Sequence, residues 1–142
     1  MNLVRVILLA LSKHQGKPVV IPVIVLKVRY SLEMMGYIRQ NPEIQKLREI
    51  GWSEERIERR IDRDLPQKVR MVLPKLAMSG RAKPFYLSKL RKIASGSEKK
   101  FRELVTRSGV VFTDSSQLDS SQTAYQITSK GLRWWLKHKN LP

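Results

Sequence analysis

The residues of this chain that could do chemistry are mostly cationic, and they are concentrated between positions 67 and 112. That stretch carries 12 Lys and Arg residues against 2 acidic residues, within a chain of 142 residues and net charge +16. Such a surplus repels itself unless a polyanion neutralises it, and nucleic acid is the obvious polyanion. We therefore expect a nucleic-acid partner, bound where the surplus is greatest.

The first element expected to position these cations is a short amphipathic helix that starts near Ser88. Ser88 has a side chain suited to a helix N-cap. Leu90, Ile93 and Ala94 have the i, i+3, i+4 spacing of one buried face. Gly96 then breaks the chain, as a glycine does between two helices.

A second amphipathic helix is predicted to begin after Ser97, which can cap it, and to end at Gly109, which suits a left-handed C-terminal position. Phe101, Leu104 and Val105 form its buried stripe. The side chains that point away from this stripe are Lys99, Arg102, Glu103, Thr106 and Arg107.

Two strands and a last helix are predicted to follow. Residues 110–113 and 123–128 are typical of the two strands of a hairpin, in which Tyr125 and Ile127 alternate with polar neighbours. The loop between them, DSSQLDSSQ, contains two aspartates and no Lys or Arg. This loop has no cation to neutralise a phosphate, although Ser and Gln can still donate hydrogen bonds to one.

The last helix carries Leu132, Trp135 and Leu136 on one stripe, and Trp135 is predicted to be core. Trp134 projects about 100° away and can be exposed, where it could stack on a base or pack against a partner. Packing within the chain is the commoner fate of a tryptophan in so small a domain.

This order of elements resembles the winged helix-turn-helix superfamily, most closely the small archaeal-type proteins in which a hairpin ending in Tyr-x-Ile/Leu-Thr-x-Lys-Gly leads into a last helix. The matching stretches are LSKLRKIASGS, ELVTRSGVV and YQITSKG, which lie in the second half of the chain. In that superfamily the second helix of the helix-turn-helix enters the DNA major groove. The resemblance implies that the residues facing the bases are Lys99, Arg102, Glu103, Thr106 and Arg107. It also implies that the residues near backbone phosphates are Lys89, Arg91, Lys92 and Lys100.

Arg102 or Arg107 is then the residue expected to bind a guanine with two hydrogen bonds. The alternative is that all of these side chains only solubilise an exposed helix face. The local charge surplus favours binding.

The first half of the chain is predicted to be helical. We expect a helix over 3–14, an extended segment over 17–22, a helix from about 22 to 40, and two short helices within 42–64 around Gly51-Trp52-Ser53. Pro66 is expected to open the first helix of the resembled fold, with Val69, Val72, Leu73, Leu76 and Ala77 on its core face. Pro74 should kink or split that helix. The expected domains are a helical region over 1–64 and a winged helix-turn-helix domain over 65–142.

A faint internal repeat links the two halves. VRVILLALSKHQGKPVVIP at 4–22 parallels VRMVLPKLAMSGRAKPFYLS at 69–88, with Val-Arg, an apolar run, a glycine and Lys-Pro in each. Chance in a chain rich in Val, Leu and Lys would also produce this pattern. The N-terminal half can therefore be a degenerate second winged-helix-like unit or an unrelated extension.

The acidic residues of the 42–64 segment allow two interpretations. Glu54, Glu55, Glu58, Asp62 and Asp64 could hold a metal ion for phosphoryl chemistry. The interleaved arginines favour a solvated, salt-bridged connecting helix instead. Ser53 is its expected cap, the pair Glu55 and Arg59 has favourable i, i+4 polarity, and Trp52, Ile57 and Ile61 form its expected buried stripe.

Several classes of protein are disfavoured. The chain has no cysteine, so disulfides, thiolate nucleophiles and Cys-based zinc sites are excluded, and His14 and His138 are too far apart in sequence to suggest a metal pair. Val19 to Leu26 is too short an apolar run to span a membrane. We expect a cytoplasmic protein with no metal, cofactor or membrane partner, and no catalytic motif indicates an enzyme.

The sequence therefore predicts a mainly α protein with a small β-hairpin, consisting of a C-terminal winged helix-turn-helix and a helical N-terminal extension. The expected function is binding of double-stranded DNA without catalysis, as a transcription regulator or a chromatin-like or viral DNA-binding protein. A homodimer through the apolar N-terminal helix is one possible assembly. The first alternative is a structural RNA-binding protein of a ribonucleoprotein, such as a ribosome-associated component. The second is a protein-interaction module of a larger complex.

Overall fold

The computed structural model describes residues 3–113 and 123–139, most of which are helical. The elements are α1 (Leu3–Ser12), β1 (Val19–Val20), α2 (Ile21–Met34), α3 (Tyr37–Gln40), α4 (Pro42–Glu49), α5 (Glu54–Met78), β2 (Ala82–Tyr86), α6 (Leu87–Ala94), α7 (Glu98–Arg107), β3 (Thr123–Ile127) and α8 (Ser129–His138). The prediction of a mainly helical protein with little β-structure is confirmed. The polar loop at 114–122 lies outside the described residues.

The three strands form one antiparallel sheet in the order β1-β3-β2. Tyr125 of β3 pairs with Val19 of β1 on one side and with Pro84 of β2 on the other. Val111 forms only an isolated parallel bridge with Val19, on the outer side of β1. The predicted hairpin between the two segments that flank the polar loop is therefore wrong. The N-terminal strand takes the position beside β3, where Val19 and Val20 are almost fully buried.

One hydrophobic core is shared by both halves of the chain. From α1 it contains Val6, Ile7, Leu8, Ala10 and Leu11. This helix contacts α2, α5, α8 and β3. The apolar face of α1 is therefore covered by other elements of the same chain.

Helix α5 runs without interruption through two prolines, so the prediction that a new helix begins at Pro66 is wrong. Each proline removes one backbone hydrogen bond, at a cost of about 3 kcal/mol. Pro74 likewise lies within the helix and does not split it. Leu65, Val69 and Leu73 are buried along one face, and burying each contributes about 1.5–3 kcal/mol, which offsets that cost. The expected domain boundary after residue 64 falls inside this helix.

The helix predicted over 22–40 is two helices. α2 ends at Met34, and Gly36 adopts a left-handed conformation with φ of 74° before α3 begins. A glycine takes this conformation without a Cβ clash, so the chain can change direction there. The periodic apolar spacing continued across the break, which is why the sequence suggested one helix.

The acidic segment is salt-bridged, as its interleaved arginines indicated. Ser53 caps α5 by accepting a hydrogen bond from the backbone N–H of Arg56, as predicted. Glu54 binds Arg48 of α4 at 2.6 Å and Asp62 binds Arg29 of α2 at 3.2 Å. The hydrogen bond from Arg48 lowers the pKa of the Glu54 carboxyl. Of the predicted buried stripe, Ile57 is buried, whereas Trp52 and Ile61 are half-buried.

The two segments that resemble each other in sequence also have similar local structures. Each is a helix, a left-handed glycine, a strand and a helix: α1, Gly16, β1 and α2 in the first, and α5, Gly80, β2 and α6 in the second. Val20 of β1 and Phe85 of β2 both pair with Ala124 of the shared strand β3. The sequence repeat thus corresponds to two similar units on either side of one strand.

No helix in the described ranges combines the length and the apolar character needed to cross a membrane.

Candidate nucleic-acid interface

Helices α6 and α7 are joined by a tight turn that fixes the direction of α7. Ser95 and Gly96 have left-handed φ angles of 51° and 84°. Ser97 then accepts a hydrogen bond from the backbone N–H of Lys100 at 3.2 Å, which confirms its predicted role as the cap of α7. The turn therefore leads directly into a capped helix.

Helix α7 is anchored to the core along one face. Phe101 and Val105 are fully buried, and Leu104 packs against the same core while partly exposed. Gly109, with φ of 75°, follows the end of the helix in the left-handed position that the sequence predicted. With one face fixed, the remaining side chains of α7 are held facing outward.

Helix α6 starts at a different residue and buries a different face from those predicted. It begins at Leu87, directly after β2, and has no side-chain cap, so the prediction of a Ser88 cap is wrong. Leu87 is fully buried and Ala94 is 1% exposed, whereas Ile93 is 57% exposed. Leu90 is partly buried and packs against the core between them, so the inward stripe is Leu87, Leu90 and Ala94, at i, i+3 and i+7, which places Ile93 on the solvent side. The predicted burial of Ile93 is therefore also wrong.

The outward side chains of α7 form the principal cationic surface. Those that are exposed are Lys99, Lys100, Arg102, Glu103, Thr106 and Arg107. A shallow groove of about 440 Å³ is lined by Ser97, Lys99, Lys100, Glu103, Leu104 and Arg107. The Thr106 hydroxyl donates to the carbonyl of Arg102 at 2.9 Å. All five residues that the resemblance placed at the bases are thus on one exposed helix.

The four residues expected near phosphates divide into two groups. Lys89, Lys92 and Lys100 are exposed. Arg91 instead donates to the Glu98 carboxylate at 2.9 Å and stacks over the Phe101 ring, with its Cζ 3.9 Å from the ring centroid. It therefore fastens α6 to α7 and is less free to reach a phosphate.

The contact with Arg91 changes the pKa of the Glu98 carboxyl group. The hydrogen bond from Arg91 is the main cause that lowers the pKa of Glu98, and the charges of Arg91 and Arg102 act in the same direction. Glu98 thus stays ionised at neutral pH, at the N-terminus of α7, where a negative charge is favourable.

The cations of α7 are not neutralised within the described residues. Over that part of the chain, the Arg91–Glu98 contact is the only ion pair on α6 and α7. Lys99, Arg102 and Arg107 consequently have no carboxylate partner. Charges left unpaired on a rigid, anchored helix are available to phosphate or base oxygens.

The N-terminus of the last helix, α8, packs against the residues that precede β2. Thr128 caps α8 through its hydroxyl, which accepts from the N–H of Gly131 at 3.0 Å and donates to the carbonyl of Gly80 at 2.6 Å. Gly131 is buried and lies so close to the Arg81 carbonyl that no side chain fits between them. The Thr-x-Lys-Gly pattern of the sequence therefore marks a tight docking of α8.

The two tryptophans of α8 both pack within the chain. Trp134 is half-buried, stacks on His138 at 4.3 Å between ring centroids, and lies under the guanidinium of Arg81 at 4.9 Å. Trp135 is also half-buried and packs against the core. Leu136 is 50% exposed, so its predicted place on the buried stripe is wrong. Neither tryptophan is left as an open stacking platform.

One surface was not predicted as a binding site. Four arginines of α5 surround Trp52 and line a groove of about 400 Å³. The spacing of Arg56, Arg59, Arg60 and Arg63 was visible in the sequence, but the arginines were interpreted only as partners of nearby carboxylates. The sequence signal for a binding surface would have been that this spacing places all four arginines on one face of the helix.

No group of three or more His, Asp or Glu side chains in the described ranges is placed to hold a metal ion. Comparison of the chain with protein-family models, with curated proteins and with solved structures found no match.

Proposed function

We propose that the chain binds double-stranded DNA through α7 and acts by binding alone. The observation that carries this proposal is the exposed face of α7, where Lys99, Arg102 and Arg107 are unpaired among the described residues while Phe101 and Val105 anchor the opposite face. An α-helix with such a face fits the major groove, and guanidinium groups read guanine with two hydrogen bonds. The roles proposed are those of a transcription regulator or a chromatin-like or viral DNA-binding protein.

We also propose that the C-terminal part is a variant winged helix-turn-helix. The order α5, β2, α6, α7, β3, α8 supports this, as does the tight turn between α6 and α7. The variation is that β1 separates β3 from Val111, which lies in the segment expected to form the other strand of the hairpin. The N-terminal half would then complete the sheet on which the wing is built.

The test is a salt series of binding to a 30-base-pair DNA duplex. Arg102→Gln with Arg107→Gln removes two charges from α7, and we expect affinity to fall tenfold or more, since a bidentate arginine-to-base contact is worth about 1–3 kcal/mol. If the two arginines bind phosphates instead, the slope of log K against log salt should become shallower by about 1.8, at roughly 0.9 for each phosphate that is no longer neutralised.

The matched control is Arg39→Gln with Arg133→Gln, which removes the same charge from exposed arginines of α3 and α8. We expect it to change affinity and slope much less. Equal losses in the two variants would mean that net charge, and not α7, determines binding, and the proposal would be abandoned.

A structured RNA is the second candidate partner, and the arginines of α5 are the observation that favours it. We expect a protein that contacts RNA on more than one side to carry cations on separate surfaces, and here they line two grooves, on α5 and on α7. A matched RNA duplex in the same salt series distinguishes the two candidates. Binding to RNA as tight as binding to DNA, with no effect of the α7 variant, would favour the ribonucleoprotein role.

A protein partner is the third candidate, supported by an apolar stripe along α2. Leu26, Tyr30 and Met34 follow one another at i, i+4 spacing and are 60%, 61% and 69% exposed. Exposed apolar side chains arranged in a row mark surfaces for protein contacts more often than isolated ones do. Polar substitution at Tyr30 that abolishes self-association, while leaving DNA binding intact, would locate a partner here.

A further inference from the structure

The N-terminal part of α5 presents a face made of arginines. Arg56, Arg59, Arg60 and Arg63 have i, i+3, i+4, i+7 spacing, which places all four on one side of the helix. Together with Trp52 they are the lining of one groove of about 400 Å³. We call this set the arginine face. No other residue type contributes to the groove.

Trp52 contacts two residues of the arginine face. The Cζ atom of Arg56 lies 3.7 Å from the centroid of the Trp52 ring, and that of Arg60 lies 5.7 Å from it. Stacking orients the planar guanidinium of Arg56 while leaving its N–H edges free to donate. In the described part of the chain Arg56 has no carboxylate partner, so these donors are not satisfied by an ion pair.

The acidic residues of α5 do not neutralise this face. Glu54 and Asp62 pair with arginines of α4 and α2, away from the groove. Glu55 reaches one of the four arginines at 3.8 Å, and Asp64 is shared by two others at 3.1 and 3.6 Å. Four positive charges against two negative ones leave the face with an excess of about two charges.

We infer that the arginine face binds the phosphodiester backbone of a polynucleotide, separately from α7. Guanidinium groups match phosphate oxygens with two parallel hydrogen bonds. Arg56 is exposed and covers the Trp52 ring, so the outer face of its guanidinium plane is the surface on which a base can stack. Of the two polyanions to consider, a polynucleotide fits better than an acidic peptide, because a peptide carboxylate brings no base to this guanidinium. The inference goes beyond the proposed role of α7 and does not depend on it.

The arginine face and the cations of α7 lie on different helices and line different grooves. Arg60 lies 18 residues before Met78 at the C-terminal end of α5, or about 27 Å along the helix axis. The chain passes through β2 and α6 before it reaches α7. A protein with both surfaces could hold two segments of nucleic acid, or one segment that bends between them.

The test uses the intact protein in which α7 is already disabled by Arg102→Gln and Arg107→Gln. The residual binding of a 30-base-pair DNA duplex and of a 30-nucleotide single strand is measured over a salt series. Adding Arg56→Gln and Arg59→Gln should make the slope shallower by about 1.8 on the duplex, or by about 1.4 on the single strand, since two fewer phosphates are neutralised. The larger loss of affinity identifies which form of polynucleotide the face prefers.

Two controls keep the inference open to refutation. Adding Arg39→Gln with Arg133→Gln instead removes equal charge elsewhere and should leave the slope nearly unchanged; an equal change would overturn the inference. Arg56→Lys with Arg59→Lys preserves the charge but removes the guanidinium forks, and we expect a several-fold loss of affinity at an unchanged slope. An unchanged affinity in this lysine variant would show that no guanidinium geometry is used and would also overturn it.

The alternative ligand is tested by competition. Poly-glutamate, matched in charge to the single strand, should displace the strand only weakly. Displacement as efficient as that by unlabelled strand would assign the arginine face to acidic peptides and overturn the inference. Thermal melts followed by circular dichroism check that every variant is folded. Because α7 is disabled throughout, failure here leaves the proposed role of α7 standing, and the reverse also holds.

Discussion

Gly131 gives the sharpest test of how α8 is docked. An alanine Cβ at this position would overlap the carbonyl oxygen of Arg81, and it would lie 2.9 Å from the carbonyl carbon of Arg81 and 3.1 Å from Cγ1 of Ile127. The same carbonyl accepts a hydrogen bond from the N–H of Thr128 at 3.2 Å, so it cannot retreat without loosening that contact. We therefore expect Gly131→Ala to destabilise the protein.

The magnitude follows from two opposing effects. Alanine is favoured over glycine within a helix by about 1 kcal/mol. Overpacking a fixed site costs about 1–3 kcal/mol and occasionally more, and here the clash is with backbone, which cannot rotate away. Because the clash is with backbone, we take the upper end of that range, about 3 kcal/mol, which leaves a net loss of about 2 kcal/mol in the free energy of unfolding. For a chain of this length that loss lowers Tm by roughly 6 °C.

The assay is thermal and urea denaturation followed by circular dichroism. Lys130→Ala, at the neighbouring exposed position of α8, is the control and should change the free energy of unfolding by less than about 0.5 kcal/mol. An increase in Tm for Gly131→Ala would mean that only helix propensity acts at this position. That result would refute the close approach of α8 to β2.

Three further substitutions probe the helix-turn-helix. Ser97→Ala should lower the free energy of unfolding by about 1 kcal/mol in urea denaturation, because the variant has no side-chain cap on α7. Ile93→Ser should change it by no more than about 0.5 kcal/mol, because Ile93 is exposed; a loss of about 2 kcal/mol or more would restore the predicted buried stripe. Glu98→Gln should lower Tm more at pH 7 than at pH 3. The lowered pKa of Glu98 means that its stabilisation is present above the ordinary carboxyl pKa and is lost as pH falls through the folded value. An equal difference in Tm at both pH values would show that the charge of Glu98 contributes nothing.

The sequence predicted several features that depend on local signals, although the local signal for a cap at Ser88 failed. The caps at Ser53 and Ser97 and the left-handed Gly109 depend on a few neighbouring residues, and all are present. The outward residues of α7 were also correct, because Phe101 and Val105 set the phase of that helix unambiguously.

The failures occurred where distant residues decide the outcome. Nothing near 110–113 indicates that Val19 would take the place of a hairpin partner, since strand pairing across the length of a chain is not a local property. Pro66 resembles a helix start, and only the burial of Leu65 and Val69 by other elements carries α5 through it. Ile93 was misplaced because Leu87, at the very first position of α6, sets the phase of that helix.

In the candidate sites, too, the features set by local sequence were predictable and those set by contacts between elements were not. The cations of α7 could be identified from charge and spacing, because helical periodicity alone places them outward. Arg91 could not be assigned its ion pair with Glu98, since that pairing depends on the turn between α6 and α7. The arginine face of α5 depends on where Trp52 folds back against the helix, which spacing alone does not give.

The most direct measurement is the change in backbone amide chemical shifts of the isotopically labelled protein when a 30-base-pair DNA duplex is added. If α7 docks in the groove, the largest changes will fall on residues 97–107, with smaller ones at the exposed lysines of α6, and they will weaken as salt is raised. Changes that leave 97–107 unaffected and fall instead on α2, or on no single surface, would contradict the account that α7 is the DNA-binding helix.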